Sequence, residues 1–427
     1  MLVQGNVAAP GDKSLTHRLL LLAGMAPGRS RLQGALTSLD ARSTAKVLRL
    51  LGVPVTPLRP GKEVLISARG RYKRPRQILH CGNSGTTARL LLGLLAGHDF
   101  RAALTGDNSL RKRPMRRVTE PLARMGAQFD GKGGEAPDRL PLAIRGGGLH
   151  SLEWELPVSS AQIKGCLLFA GLAGGVPVSV REPSGRSRDH TERLLRSFGY
   201  RVEEGADGWL RFEPTGKLEP FDLEVPGDIS SAAFLVGAAL LATGGGLAIT
   251  GVGLNPTRTG FLRVLERMGA RITAIQTGER CGEPVGDLQV RPGPIYGTTV
   301  TAEEIPGLID EIPLLAVLAA RAMGRTHFHQ VGELRVKESD RLGLLAENLR
   351  AVGALATVEG DTLVVQGKRT PPVGPVRTEG DHRIAMAFAV LGVVEGAQVR
   401  VDDLECAAVS FPGFDEVMRQ VTGRRGR

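Results

Sequence analysis

Hydrophobic periodicity divides the chain into two kinds of helix separated by short β-like runs. The first kind is amphipathic and closes on a small segment containing glycine. Its versions are Leu50-Leu51-Gly52-Val53, Arg124-Met125-Gly126-Ala127, Ser197-Phe198-Gly199-Tyr200, Arg267-Met268-Gly269-Ala270 and Ala351-Val352-Gly353-Ala354. A last helix over 414–421 ends before Gly423. Gly52, Gly126, Gly199, Gly269, Gly353 and Gly423 recur at near-even steps, which divides the chain into six units of similar length. Glycine at such points predicts a left-handed C-cap, because it takes positive φ without a Cβ penalty.

A second series runs out of phase with the first. Each member is a polar or glycine-rich start followed by a mostly apolar helix. The starts are Lys13-Ser14, Asn83-Ser84-Gly85-Thr86, Ser159-Ser160-Ala161-Gln162, Asp228-Ile229-Ser230-Ser231, Asp310-Glu311-Ile312-Pro313 and Asp381-His382-Arg383. A helix apolar nearly all round is buried, so each unit is expected to hold one buried helix, one surface helix and several strands. Candidate strands include 176–180 and 362–365. The halves also rhyme: Pro10-Gly11-Asp12-Lys13-Ser14 matches Pro226-Gly227-Asp228-Ile229-Ser230, an offset close to half the chain. This predicts two domains of three units, one over 12–225 and the other over 1–11 plus 226–427, with a two-stranded hinge near 10–13 and 225–228. Buried helices whose N-termini face a shared cleft would form an anion trap. The plainer reading of Ser, Asp and Asn there is N-capping. Capping covers Ser230, Ser231 and Asp228, but not the cations in or beside the other starts.

Composition narrows the function. The chain has 427 residues, 42% of them hydrophobic, enough for two or more cores. Aromatics at 4% argue against stacking platforms for single strands. The formal charge of +11 suits an acidic ligand. Its cations are dispersed apart from 111–117 and the tail Arg424-Arg425-Gly426-Arg427, expected to be solvated. Cys81, Cys166, Cys281 and Cys406 form neither a CxxC pair nor a metal-ligand spacing, which fits a reducing compartment. The apolar run over 18–26 is short for a secretory leader and follows Asp12 and Lys13. No stretch reaches transmembrane length. The expectation is a soluble, cytoplasmic protein with no membrane span, whose dispersed cations are unlike the clusters of a nucleic-acid binder.

The richest chemistry lies in 334–341, Leu-Arg-Val-Lys-Glu-Ser-Asp-Arg. Lys337 and Arg341 stand four apart, so on a helix they would share a face with Glu338 adjacent. Two cations beside a carboxylate can hold an anion and pass a proton. An ordinary ion-pair ladder at a helix start reads equally well from these residues alone.

The full set of motifs resembles one family. In order they are Pro10-Gly11-Asp12-Lys13-Ser14-Leu15-Thr16-His17-Arg18, Gly82-Asn83-Ser84-Gly85-Thr86-Thr87-Ala88-Arg89, Lys112-Arg113-Pro114-Met115 and Ser160-Ala161-Gln162-Ile163-Lys164. Then come Ser187-Arg188-Asp189-His190-Thr191-Glu192, Asn255-Pro256-Thr257-Arg258-Thr259-Gly260, Ile309-Asp310-Glu311, 334–341, Asp381-His382-Arg383 and Ser410-Phe411-Pro412. Together they resemble the EPSP synthases, the class II-like branch of the enolpyruvyl transferases. The resemblance implies an α/β fold: an inside-out α/β barrel of six βαβαββ repeats, three per domain, closing over substrate at the hinge. It implies transfer of the enolpyruvyl group of phosphoenolpyruvate to the 5-hydroxyl of shikimate 3-phosphate by addition and elimination, with no metal and no cofactor.

It also implies roles. Lys13, Gly85, Arg113, Gln162, Arg341 and Arg383 would meet phosphoenolpyruvate. Lys13, Ser14, Arg18, Ser160, Ala161, Gln162, Arg188, Asp310 and Lys337 would meet shikimate 3-phosphate. Asp310 would take the hydroxyl proton, Glu338 would protonate the methylene carbon, and Lys13 is a further proton carrier. Without the family, Asp310 reads as an N-cap. His17 and His382 read as hydrogen-bonded walls. Val409 stands where some members have lysine, and Leu90 where some have proline. Gly85 is the position at which alanine accompanies glyphosate tolerance in the family, so glycine implies sensitivity. One rival is transfer of the same group to UDP-N-acetylglucosamine. That family carries a reactive cysteine in a loop matching 106–115, which has none here. The other rival is a polyanion- or nucleic-acid-binding protein.

Overall fold

The polar starts become the N-termini of the buried helices. In the computed structural model the described residues are 1–130, 137–183 and 185–423, so the tail arginines lie outside them. The chain divides into two units, and the division falls between residues 10 and 11 and between 225 and 226. It differs from the sequence expectation in two places. Gly11 joins the unit formed by the first half, and so does Arg280–Glu283, the tip of a hairpin from the second half. The tip packs there through side chains that sequence spacing does not reveal: Glu283 meets His190, and Cys281 Sγ donates to the Glu224 carbonyl.

The unit comprising Gly11–Val225 and Arg280–Glu283 carries helices α1 (Lys13–Ala23), α2 (Leu39–Leu50), α3 (Gly85–Ala96), α4 (Asn108–Lys112), α5 (Arg116–Arg124), α6 (Ala161–Gly174) and α7 (His190–Ser197). The core gathers around α1, α3 and α6. Residues 18–23 of the run 18–26 thus lie in α1, buried. Between α3 and α6 there is no room for a side chain at Gly93, where a Cβ would fall 2.0 Å from the Cys166 carbonyl oxygen. The two helices therefore touch backbone to backbone. Amphipathic α2, α5 and α7 each run into a left-handed glycine, with φ of +80° at Gly52, +109° at Gly126 and +83° at Gly199. In one sheet Leu79–His80 pairs parallel with Arg101–Thr105, and Leu142–Arg145 and Gln128–Phe129 follow antiparallel. A second repeats the plan with Leu152–Glu155, Val178–Arg181, Trp209–Glu213 and Arg201–Glu204. In the third, Asp222–Glu224 supplies the strand parallel to Gly28–Gln33, which pairs antiparallel with Val64–Ala68.

The other unit, Met1–Pro10, Pro226–Glu279 and Pro284–Arg427, carries α8 (Ile229–Leu241), α9 (Gly260–Arg267), α10 (Ile312–Ala319), α11 (Arg341–Ala351), α12 (His382–Leu391) and α13 (Phe414–Thr422). Its core surrounds α8, α10 and α12. Gly269, Gly353 and Gly423 close α9, α11 and α13 at φ +80°, +86° and +66°. The N-terminal strand Leu2–Ala8 lies parallel to Gly244–Gly253 and so completes a repeat whose buried helix, α8, comes from the second half of the chain. Thr299–Val300, Arg325–Phe328, Thr362–Gln366 and Leu355–Glu359 form a second sheet, and Val373–Val376 with Gln398–Val401 a parallel pair. The expected strands at 176–180 and 362–365 are thus present, shifted or extended by a residue or more. Among the described residues no helix is long and apolar enough to cross a membrane.

Candidate functional site

In the first unit the expected residues collect at helix N-termini. Asp12 caps α1 by accepting from the Leu15 N–H at 2.8 Å, which places Lys13 and Ser14 in the first turn. Lys13 Nζ donates to Asp40 Oδ2 at 3.3 Å. Arg18, one turn beyond Ser14, is buried; its Nη1 donates to the Ser14 carbonyl at 3.0 Å and its Nε to Thr191 Oγ1 at 2.8 Å. His17 is enclosed against Thr44, and burial together with Lys13 and Arg18 pushes its imidazole down to about 3. It is a neutral wall, as its surroundings require.

Ser84 caps α3 through the Thr87 N–H, 3.1 Å away, placing Gly85 first in the helix. A Cβ on Gly85 would lie 2.8 Å from Arg89 Nη1 and 3.4 Å from Arg113 Nη1. Arg113, buried just after α4, donates to Asn83 Oδ1 and reaches Ser109 Oγ at 3.3 Å. Gln162 bridges the starts of α6 and α3: its Oε1 accepts from Arg89 Nη1 at 2.6 Å and its Nε2 donates to Thr86 Oγ1 at 3.1 Å. Ser160 is the N-cap of α6 but its hydroxyl makes no capping bond, and Ala161 begins the helix. Arg188 stands half-buried on a different element, the segment leading into α7. Gly85, Arg113 and Gln162 are thus brought together, as are Ser14 and Arg18. The segment 106–115 contains the short α4.

In the second unit Arg341 is the organising group. It is 1% exposed and sits first in α11. Its Nε donates to Asp381 Oδ2 at 2.9 Å, its Nη2 to Glu338, and its Nη1 lies 3.7 Å from Asp310 Oδ1. Burial opposes this charge, and Asp381, Glu338 and Asp310 more than offset it, holding the guanidinium above its ordinary value. Arg383 Nη2 stands 4.0 Å from Asp310 Oδ2, with the guanidinium 5.8 Å over the Phe234 ring. Asp310, Glu338, Arg341 and Arg383 therefore form one cluster of two carboxylates and two guanidiniums. Asp310 does not cap α10: Glu311 is the N-cap and makes no side-chain capping bond.

Lys337 corrects one expectation. It does not share a helix with Arg341, because a 3₁₀ turn at Gly332–Val336 ends before it and α11 starts only at Arg341. Asp340 caps α11 by accepting from the Gly343 N–H, which fixes the helix start one residue later. Lys337 stays partly accessible, yet desolvation lowers its ammonium below the ordinary value, against the pull of Asp310 and Glu333.

Several partners escaped the sequence reading: Asp40 on Lys13, Arg89 on Gln162, Thr191 on Arg18 and Asp381 on Arg341. Arg89, Thr191 and Asp381 lie inside quoted motifs, but spacing carries no signal that they face their partners. The cysteines offer no thiolate at neutral pH. Burial pushes Cys81, Cys166, Cys281 and Cys406 up to about 12.

Comparison with known proteins places these features in a family. The sequence model described as EPSP synthase (3-phosphoshikimate 1-carboxyvinyltransferase) matches residues 2–418. A 3-phosphoshikimate 1-carboxyvinyltransferase of Desulforamulus reducens is 44% identical over 98% of this chain and 97% of its own. One from Thermus thermophilus is 48% identical over 96% and 95%. The solved EPSP synthase of Acinetobacter baumannii superposes with a TM-score of 0.85 at 37% identity, over 98% of this chain and 96% of that one. The enolpyruvyl transferase NikO of Streptomyces tendae shares the fold, with a TM-score of 0.77 at 17% identity, over 98% and 95%. This chain belongs to the EPSP synthase (3-phosphoshikimate 1-carboxyvinyltransferase) family.

Proposed function

We infer that this protein transfers the 1-carboxyvinyl group of phosphoenolpyruvate to the 5-hydroxyl of shikimate 3-phosphate and releases inorganic phosphate, a step of aromatic biosynthesis. The observation that carries this is the family match across residues 2–418. Relatives carrying the 3-phosphoshikimate name at 44% and 48% identity disfavour transfer to UDP-N-acetylglucosamine and a purely polyanion-binding role.

The residue roles are those the family resemblance implies, and the chemistry of the clusters supports them. Both substrates are small polyanions, so guanidiniums, an ammonium and helix N-termini do the binding. Arg113 beside Gly85 suits phosphoenolpyruvate, with Lys13, Gln162, Arg341 and Arg383 assigned to the same substrate. Arg18 and Ser14 are assigned to the shikimate carboxylate side. Ser160, whose hydroxyl is not used for capping, with Ala161, Gln162 and Arg188, is assigned to the 3-phosphate. Asp310 is the base for the 5-hydroxyl, assisted in binding by Lys337. Glu338 delivers the proton to the methylene carbon, and Lys13 is the further proton carrier. Placing an acid and a base on separate carboxylates beside one guanidinium allows their protonation states to differ. The reading includes a cytoplasmic monomer that uses no metal and no organic cofactor.

A phosphate-release assay decides it. Release is expected only with both substrates present. Release from phosphoenolpyruvate alone at the same rate, or none with the pair, would overturn the assignment.

A further inference from the structure

α6 and α7 meet across a buried ion cluster that the assigned chemistry does not use. Lys164, 3% exposed, places Nζ 2.7 Å from Glu192 Oε1 and 2.9 Å from Glu182 Oε2. Glu182 Oε2 also accepts the backbone N–H of Ser187, the residue before Arg188, at 3.2 Å. The next residue of α6 is Gly165. A Cβ there would lie 2.8 Å from Thr191 Oγ1 and 3.5 Å from Arg18 Nη2, so its bareness lets α7 and the Arg18 side chain approach. Thr191, fully enclosed beside Glu192, accepts from Arg18 Nε at 2.8 Å.

These contacts form one continuous chain of support. Lys164 ties α7 to α6 and to the segment bearing Arg188. Thr191 rides on that α7 turn and fixes Arg18 of α1. Burial opposes charge on Lys164, and Glu192 and Glu182 more than offset it; burial likewise pushes the Glu192 carboxyl up, with Lys164 pulling it back. A buried ion cluster of this kind is a poor source of net stability compared with apolar packing. What it supplies is a fixed position. A guanidinium that must meet a carboxylate gains affinity when its rotamer is set beforehand, because less side-chain freedom is lost on binding.

We propose that Thr191 is a positioning residue for the shikimate-side substrate, acting through Arg18, and that Lys164 holds Thr191 in place by locking α7 against α6. The proposal rests on the reading that Arg18 meets that substrate. Steady-state kinetics with both substrates varied tests it. Thr191→Val keeps the shape and removes the acceptor. It should raise KM for shikimate 3-phosphate about tenfold, the scale of one lost charge-assisted hydrogen bond, while KM for phosphoenolpyruvate stays at the wild-type value. Thr191→Ser, which keeps the hydroxyl, should restore the wild-type KM. Arg18→Ala should raise the same KM further. If Arg18→Ala leaves it unchanged, the reading of Arg18 fails and the proposal falls with it. If Arg18→Ala raises it but Thr191→Val behaves as wild type, the positioning role alone is overturned. An equal rise in both KM values in Thr191→Val also overturns it, since that marks general loosening. Should Thr191→Val not fold, the charge-balanced pair Lys164→Met with Glu192→Gln carries the test. The same one-sided rise is expected, and wild-type KM for both substrates overturns the proposal.

Discussion

Arg341 Nε lies 2.9 Å from Asp381 Oδ2, joining the first residue of α11 to the N-cap of α12. Both side chains are buried, and Asp381 also accepts the Arg383 N–H at 2.9 Å. One carboxylate therefore starts the helix that carries Arg383 and orients Arg341. The positions of two cations assigned to one substrate are coupled through a residue with no assigned chemistry of its own.

Removing that carboxylate leaves a buried guanidinium short of a partner and a helix without its cap. Asp381→Ala is expected to cost about 3–5 kcal/mol of unfolding free energy and to abolish turnover. Urea denaturation followed by circular dichroism measures the first. Asp381→Asn, which can still cap, should lose activity with a smaller loss of stability.

The proton-transfer assignments separate chemistry from folding. Asp310→Ala and Glu338→Ala should each lower kcat by about 10²–10⁴-fold, the usual reach of a positioned acid or base. Lys13→Met should fall at least as far, since it removes a binding charge as well. All three should keep the wild-type fold by circular dichroism, with Asp310→Ala and Glu338→Ala unfolding at a lower temperature because each takes a carboxylate from buried Arg341. Undiminished phosphate release from any one of them removes its role.

Gly85 is crowded by cations rather than by backbone. Its φ is not in the left-handed region, so alanine fits the chain, but the new methyl would sit 2.8 Å from Arg89 Nη1 and 3.4 Å from Arg113 Nη1. Gly85→Ala should raise KM for phosphoenolpyruvate roughly tenfold by displacing those groups, with KM for shikimate 3-phosphate held within a factor of about two. Glyphosate inhibition should weaken in parallel. Initial-rate titrations of both substrates read the effect.

His17 makes stability fall in mild acid. Its imidazole is held at about 3 in the folded chain, against an ordinary value of 6.5. Between those limits the unfolded chain binds a proton that the folded chain refuses, so unfolding is favoured as pH drops below 6.5. The loss from pH 7 to pH 5 is about 2 kcal/mol from this residue. His17→Gln should lose about that much less over the same interval, whatever its stability at pH 7. Equal pH dependence in the two proteins would contradict the burial argument.

Much of the architecture was legible in local chemistry. The six glycines at 52, 126, 199, 269, 353 and 423 all take positive φ, because a left-handed helix end is a local requirement that only one residue type meets cheaply. The six polar starts open α1, α3, α6, α8, α10 and α12, because capping and burial act over a single turn. Lys337 was misread for the same reason: four-residue spacing indicates a shared face only if both residues lie in one helix, and the Asp340 cap delays α11. Asp310 read from its neighbours as an N-cap, and the structure gives that position to Glu311, because the helix starts one residue later than the motif suggests.

The sequence by itself determined the repeat, the buried and exposed helices, the family motifs and the residue types that suit two small polyanions. Those properties arise from interactions within a turn or a strand. Tertiary structure decided which distant pieces meet. Leu2–Ala8 lies against Gly244–Gly253, and Asp222–Glu224 against Gly28–Gln33. Thr191 holds Arg18 across 173 residues, and Asp381 holds Arg341 across 40. Such pairings depend on how whole cores pack, where many sequence separations satisfy the same local rules and only the assembled backbone selects among them.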